Sequence, residues 1–379
     1  MTQTNRVVRF IKRPDGAPTP DIFAFEEIPL DPLGPGQFRV RNALISMDPA
    51  LVSRMRPESN YAESVNPGEV MHGYAVGQVV ESNNPAAKVG EVRLGRFDMQ
   101  EFSTQDDADE TRVINLGIAA PEHYLSVVGI TGATAYFVLQ EICDPKPGDV
   151  MVVSAAASSV GRVAAQLAKA QGVKLVGIVS TDDKAKALVA AGVYDAATSY
   201  RGKSVEALSA DIGALCPNGI DIYFDNTSGD ISEALMDHYN DFARIAVIGR
   251  LGIAHITDTK KDVGRRDANI MLAHRIKKQG FVLLDYNDRM MEAAFSLARM
   301  VKAGTLQADI DMAEGVEAIP TAFFRMLNGE NTGKQLVRVG TIDEATDPAP
   351  RKVGELLTGP GPLGPLVLKI MKRRGAKGR

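Results

Sequence analysis

The chain has 379 residues, of which 45% are hydrophobic and 24% charged, with a formal net charge of −4. That length suffices for two domains, the composition is that of a soluble globular protein, and the charge gives no general reason to expect nucleic acid as a partner. Two cysteines, Cys143 and Cys216, build neither a disulfide framework nor a multi-cysteine zinc lobe, and they read as inert core thiols in a reducing compartment. The N-terminal stretch lacks the apolar segment of a secretory leader. No uncharged apolar run is long enough to span a bilayer, so no integral membrane segment is expected and a cytoplasmic protein is.

To about Val128 the sequence is strand-like. Apolar alternations such as Phe38–Val40 and Val76–Val80 are separated by turn signals at Asp31-Pro32, Gly34-Pro35-Gly36, Asn66-Pro67-Gly68 and Asn84-Pro85. This predicts a mostly β domain, with Asp106–Glu110 as a solvated loop. Ile130–Ile142 has helical spacing, and Pro145–Asp149 is a loop that launches the apolar strand Val150–Val153. A turn of very small residues, Ser154 to Ser159, follows. Gly161 then opens a helix, and Lys174–Val179 forms the next strand.

Strand, small-residue turn, helix and strand make the first unit of a dinucleotide-binding fold. The turn must be small so that backbone N–H groups can approach a pyrophosphate at the helix N-terminus. The three-glycine spacing here reads Ala156, Ser158, Gly161, so an ordinary βαβ unit remains the alternative at this point. Further strands are predicted at Ile220–Phe224, Arg244–Gly249 and Phe281–Asp285, with a helix at Ile231–Tyr239. Such alternation means a parallel sheet covered on both faces, an α/β class with a doubly wound sheet. A short helix and the strand Gln335–Val339 close the folded part.

The tail from Asp343 holds Pro348, Pro350, Pro360, Pro362 and Pro365 and ends in the basic stretch Lys369–Arg379. Its apolar patch, Leu366 to Met371, suits a short helix. It reads either as a peripheral contact for a membrane or partner, or as a segment packed on the body with a frayed basic end. Its shortness and the acidity of the whole chain favour the second.

Several segments together resemble the zinc-independent branch of the medium-chain dehydrogenase/reductase family. Within it they resemble the NADPH-dependent double-bond reductases, the branch of leukotriene B4 dehydrogenase/prostaglandin reductase and curcumin reductase. The segments are Ser46-Met47-Asp48-Pro49, Gly68-Glu69-Val70-Met71, Gly77–Ser82, Thr134-Ala135-Tyr136-Phe137, Gly219–Asn226, Gln279–Tyr286 and Asn331–Lys334. The resemblance implies a GroES-like substrate and catalytic domain over 1–128 and 318–342, a Rossmann NADP-binding domain over 129–317, and a Pro/Gly-rich basic tail over 343–379. It also implies a homodimer, to which the strand Arg244–Gly249 and the long segment after it could contribute by extending the sheet to a partner.

Zinc-dependent members carry a Gly-His-Glu motif. Aligned on Gly77, those positions read His72, Gly73, Tyr74, and no cysteine precedes Cys143, so no catalytic metal is expected. The second strand of the nucleotide unit ends in small uncharged residues, Gly177 to Thr181, where an NAD enzyme would place an acid on the ribose. That leaves room for a 2′-phosphate and predicts NADP. Lys184 and Tyr200 match the family residues at that phosphate; Asp182 and Asp183 argue mildly against it but also serve as helix caps. Ser158, Ser159, Val160 and Gly161 fall in the pyrophosphate turn, and Asn226 ends a parallel strand. By the resemblance, Thr134 lies beside the nicotinamide, Phe281 and Val282 meet its carboxamide, and Asn331 reaches the cofactor from the other domain.

In this family NADPH gives a hydride to the β-carbon of an α,β-unsaturated ketone or aldehyde, and a hydrogen-bond donor stabilises the forming enolate. The family pattern Gly-x-Ile-Ser-x-Tyr-Asn here reads Gly249-Arg250-Leu251-Gly252-Ile253-Ala254-His255, with alanine in place of the tyrosine. Tyr61, on the loop the family folds over the substrate, and His255 are the two substitutes. Ala50 and Val52 stand where the family has a tyrosine and an arginine, which implies a wider, less polar substrate pocket. A quinone reductase of the same fold, or a nucleotide-binding protein without turnover, are the alternatives.

Overall fold

The computed structural model describes residues 3–57, 63–253, 256, 259–359, 361 and 363–375. Seven strands come first: β1 (Thr4–Phe10), β2 (Phe23–Pro29), β3 (Phe38–Ser46), β4 (Tyr74–Ser82), β5 (Val92–Arg96), β6 (Phe102–Gln105) and β7 (Arg112–Val113). Two single helical turns, α1 (Leu51–Arg54) and α2 (Pro121–Tyr124), interrupt and follow them. β1 and β2 form an antiparallel pair. Then the chain changes character. α3 (Ile130–Val138) leads into β8 (Val150–Ser154), α4 (Ser159–Lys169), β9 (Lys174–Val179), α5 (Asp182–Ala190), β10 (Ala196–Ser199), α6 (Val205–Leu215) and β11 (Ile220–Asp225). α7 (Asp230–Ala234), β12 (Tyr239–Val247), α8 (Ala268–His274), β13 (Lys277–Gly280) and α9 (Met290–Lys302) complete this part. The last elements are β14 (Ile310–Glu314), α10 (Ile319–Leu327), β15 (Lys334–Arg338), α11 (Arg351–Thr358) and α12 (Leu363–Gly375).

Two compact units result. One comprises 1–129 and 308–373, the other 130–307 and 374–379. The chain returns to the first unit ten residues earlier than the boundary expected at 318, because β14 pairs with β15 in that unit's sheet.

The first unit is the GroES-like one. Its seven-stranded sheet runs β14-β15-β3-β4-β5-β7, with β6 on β3. Phe10, Phe38, Ile45, Met71, Phe97 and Phe323 fill its core. The tail packs on this unit as far as α11. Gln78, 3% exposed, donates from Nε2 to the Asp343 carbonyl and accepts from the Asp343 N–H, both at 2.8 Å. Gly117 lies so close to the Arg351 carbonyl that a Cβ there would sit 2.1 Å from its oxygen.

The second unit is a Rossmann sheet of parallel strands in the order β10-β9-β8-β11-β12-β13. β8 to β10 step outward on one side and β11 to β13 on the other, so strand order reverses between β8 and β11. The interior strands β8, β9 and β11 are mostly apolar, as two-sided burial favours.

Three expectations need correction here. α4 begins at Ser159 rather than Gly161, because the Ser158 side chain caps the helix by accepting from Gly161 N–H at 3.2 Å. The predicted helix Ile231–Tyr239 ends at Ala234, and β12 starts at Tyr239 with Phe242 in a left-handed conformation (φ 64°) rather than at Arg244. The last strand is Lys277–Gly280, not Phe281–Asp285. It is an edge strand, exposed along its length, and so lacks the apolar run that marks an interior strand.

Candidate functional site

The C-terminal ends of the parallel strands carry most of the predicted cofactor residues, with Ser158, Ser159, Val160, Gly161 and Asn226 following the two strands between which strand order reverses. β8 ends at Ser154 and the chain turns through Ala155, which is left-handed (φ 49°). Gly161 is buried, and a Cβ on it would lie 2.8 Å from the Ala155 oxygen and 3.0 Å from that of Ala156. A side chain would therefore push α4 away from the turn. Tyr194, fully buried, locks the same turn by donating to the carbonyls of Gly161 (2.9 Å) and Ala156 (3.2 Å). Burial pushes its phenol well above the ordinary range, so it stays a donor. The turn thus leaves the eleven-residue helix α4 with its N-terminal N–H groups behind Ser158, Ser159 and Val160. This is the cradle a pyrophosphate requires.

On the other side of the reversal, Asn226 follows β11. Its N–H donates to Ser154 Oγ at 2.9 Å and its Nδ2 to the Ser154 carbonyl at 2.8 Å. The preceding Asp225, 3% exposed, accepts from Thr227 N–H, Ser228 N–H, the Tyr223 hydroxyl and the Ser232 hydroxyl, at 2.8–3.0 Å. Burial and the neighbouring Asp225 charge push the Tyr223 phenol far up. Ser228 is left-handed (φ 57°), a conformation that favours glycine. Its Oγ donates to the Gly249 carbonyl at 3.1 Å, which helps hold the strained residue in place.

Lys184 and Tyr200 are both anchored near the end of β9. Thr181 caps α5 by accepting from Lys184 N–H at 3.4 Å, and Tyr200 N–H donates to the Val179 carbonyl at 3.0 Å. Ser199 Oγ donates to Asp182 Oδ1 at 2.5 Å, so the carboxylate that argued for a ribose contact is engaged within the protein.

Thr134, 8% exposed, sits on α3. Phe281 follows the edge strand and donates its N–H to the Val247 carbonyl at 3.0 Å; Val282 is 39% exposed. The Phe281 ring stacks on Tyr286 (5.2 Å), and Tyr286 stacks on Phe137 of α3 (4.8 Å). The Arg289 guanidinium covers Phe137 at 4.9 Å. Arg289 also donates to Glu292 at 3.0 and 3.1 Å and to Glu141 at 2.6 Å, while Tyr136 donates to Glu292 at 3.0 Å. Sequence reasoning missed this network, which ties the helix bearing Thr134 to the Phe281 segment.

In the first unit two of the recognised motifs meet. Lys334, 4% exposed, donates to the Met47 carbonyl at 3.0 Å and pairs with Asp48, which also accepts from Ser46 Oγ at 2.6 Å. Asn331 Nδ2 donates to the Gly333 carbonyl at 2.7 Å. His72 is 7% exposed, and burial, with Arg96 and Arg54 near, lowers its pKa. Asp98, also missed, is left-handed (φ 62°), and burial pushes its carboxyl up to about 7. Tyr61, Ala254 and His255 lie outside the described residues.

The family pattern for the N-terminal domain of oxidoreductases matches residues 6–113, and that of the zinc-binding dehydrogenases matches 159–298. An NADPH-dependent curcumin reductase of Escherichia coli is 32% identical over 346 residues, 90% of this chain and 99% of its own length. The chain belongs to the medium-chain dehydrogenase/reductase family. A tobacco (Nicotiana tabacum) 2-alkenal reductase (NADP(+)-dependent) is 33% identical over 309 residues, 81% of this chain and 89% of the relative. The crystal structure of CurA from Vibrio vulnificus in complex with NADPH superposes with a TM-score of 0.79 at 31% identity, covering 89% of this chain and 99% of that one. This medium-chain reductase is an NADP-dependent oxidoreductase of the double-bond reductase branch, and the cradle at α4 fits its cofactor.

Proposed function

We propose that the enzyme reduces the C=C bond of α,β-unsaturated ketones and aldehydes. The observation that carries this reading is similarity over 90% and 81% of the chain to enzymes named for curcumin and for 2-alkenals, both conjugated enones or enals. Bound NADPH supplies the hydride. The chain's part is to hold and orient. The α4 N-terminus receives the pyrophosphate, and Lys184 and Tyr200 receive the 2′-phosphate. Thr134, Phe281 and Val282 flank the nicotinamide, with the Phe281–Tyr286–Phe137 stack keeping their two segments in register. Asn331 adds a further cofactor contact.

The substrate oxygen gains negative charge only as the hydride arrives, so a neutral donor placed there lowers the barrier. Tyr61 is the donor of first choice and His255 the second. Ala50 and Val52 favour bulky apolar enones. The enzyme works without zinc, in the cytoplasm, where its two cysteines stay free as the structure has them. It pairs into a homodimer through the exposed edge strand β13. The test is a panel of enones and quinones with NADPH, scored by product structure. Saturated ketones support the reading; turnover of quinones alone refutes it.

A further inference from the structure

Charge is unevenly distributed along this chain. Residues 351–379 hold eight lysines and arginines against one carboxylate, Glu355, whereas the preceding residues hold 35 against 46. The basic segment follows directly on the part of the tail that packs against the GroES-like unit through Asp343 and Arg351. It contains α11 and α12.

These helices do not cover their apolar side chains. On α11, Val353 is 49% and Leu356 60% exposed, three residues apart and so on one face. On α12, Leu366 is 55% exposed and Lys369, one turn along, is exposed too. Val367, Leu368 and Met371 are partly exposed. By helical spacing Leu366, Val367 and Met371 share one arc, and Lys369 falls in the neighbouring one. Exposed apolar residues flanked by cations, with no acid in the whole of α12, are the composition of a helix that lies in a lipid interface.

The geometry points to α11 and α12 as a docking surface for an anionic lipid bilayer. The occupant follows from charge and apolarity together. A polyanion such as nucleic acid would satisfy the cations but give Val353, Leu356 and Leu366 nothing to enter. A bilayer of anionic lipid satisfies both: its surface attracts the cations, and its acyl boundary takes the apolar side chains. The α12 helix of thirteen residues is about 20 Å long, short of the roughly 30 Å of a hydrocarbon core, so it lies on the membrane and does not cross it. No helix among the described residues is long and apolar enough to span.

The experiment is co-sedimentation of the full chain with vesicles of phosphatidylcholine, with and without phosphatidylglycerol, at low and high salt. The expected result is binding to the phosphatidylglycerol vesicles only, weakened by salt. Lys369→Glu should weaken it about tenfold or more, since each cation near such a surface contributes about a factor of five. Leu366→Asp should weaken it while leaving salt sensitivity in place. A chain ending at residue 361 keeps α11 packed and should lose most of the binding while its melting temperature and soluble-enone turnover stay as they were. Absence of binding, equal binding to neutral vesicles, binding indifferent to Leu366→Asp, or retention on DNA with none on vesicles would each overturn the proposal. None of these readings depends on what the enzyme reduces.

Discussion

Arg289→Met should cost this enzyme more stability than any surface substitution. Glu292 is 2% exposed; Arg289 gives its carboxylate two hydrogen bonds and a positive charge, and Tyr136 gives a third bond. Removing the guanidinium leaves a buried carboxylate with one donor. Breaking a buried pair from one side costs about 3–5 kcal/mol, because the remaining charge stays desolvated. Glu141, the other partner, is 22% exposed and can turn to water, so its loss adds little. In a unit of this size each kcal/mol lowers the melting temperature by roughly 2–4 °C, which predicts a fall of roughly 6–20 °C. Adding Glu292→Gln should recover most of it, since the amide removes the charge and still accepts from Tyr136. Thermal unfolding followed by circular dichroism measures all three proteins. A single variant that melts within a degree or two of the parent, or a double variant no better than the single, refutes the reasoning.

Lys184→Ala should raise the KM for NADPH about 10–150-fold, the worth of one charge-assisted hydrogen bond, and leave that for NADH nearly unchanged; steady-state kinetics with both cofactors checks it, and equal effects contradict it. Gly161→Ala should cost about 1–3 kcal/mol in thermal unfolding and weaken NADPH binding by calorimetry, because the new Cβ meets two carbonyl oxygens. Tyr61→Phe should lower kcat more than His255→Ala, by less than the roughly 2.7–4 kcal/mol typical of an oxyanion donor, with the NADPH constant unmoved; the reverse order would make His255 the donor. Asp98 gives a pH signature. Its carboxyl is raised from 3.8 to about 7, so between about pH 4 and pH 7 the folded chain holds a proton that the unfolded chain releases. Its contribution to stability therefore falls as pH rises through that window. Asp98→Asn, which tolerates the left-handed backbone, should match the parent below pH 4 and exceed it by at most about 4 kcal/mol above pH 8 in denaturant unfolding.

The Rossmann unit was largely legible because its interior strands are apolar runs separated by helical spacing: Val150–Val153, Lys174–Val179 and Ile220–Phe224 each lie within an observed strand or one residue of its end. β13 was not legible. Its Lys-Lys-Gln-Gly sequence is that of a solvated edge, and the apolar Phe281–Leu284 beside it drew the prediction forward. The start of α4 lies two residues before Gly161 because Ser158 caps the helix through its side chain, while Gly161 signals close packing rather than a helix start. The Arg289–Glu292–Tyr136 network joins residues 156 apart in sequence at its widest, and polar residues on a helix read as solvated until the fold buries them. Lys334 and Asp48 belonged to two recognised motifs, yet nothing local in either announced that they pair.

Hydride transfer to the carbon beta to a carbonyl is the central step of the proposed reaction. Turnover of one simple enone with NADPH deuterated at nicotinamide C4, with the product read by NMR and mass spectrometry, tests it most directly. The prediction is a saturated ketone carrying deuterium on the β-carbon. An allylic alcohol carrying deuterium on the former carbonyl carbon, or no product from any enone while NADPH is bound, would contradict it.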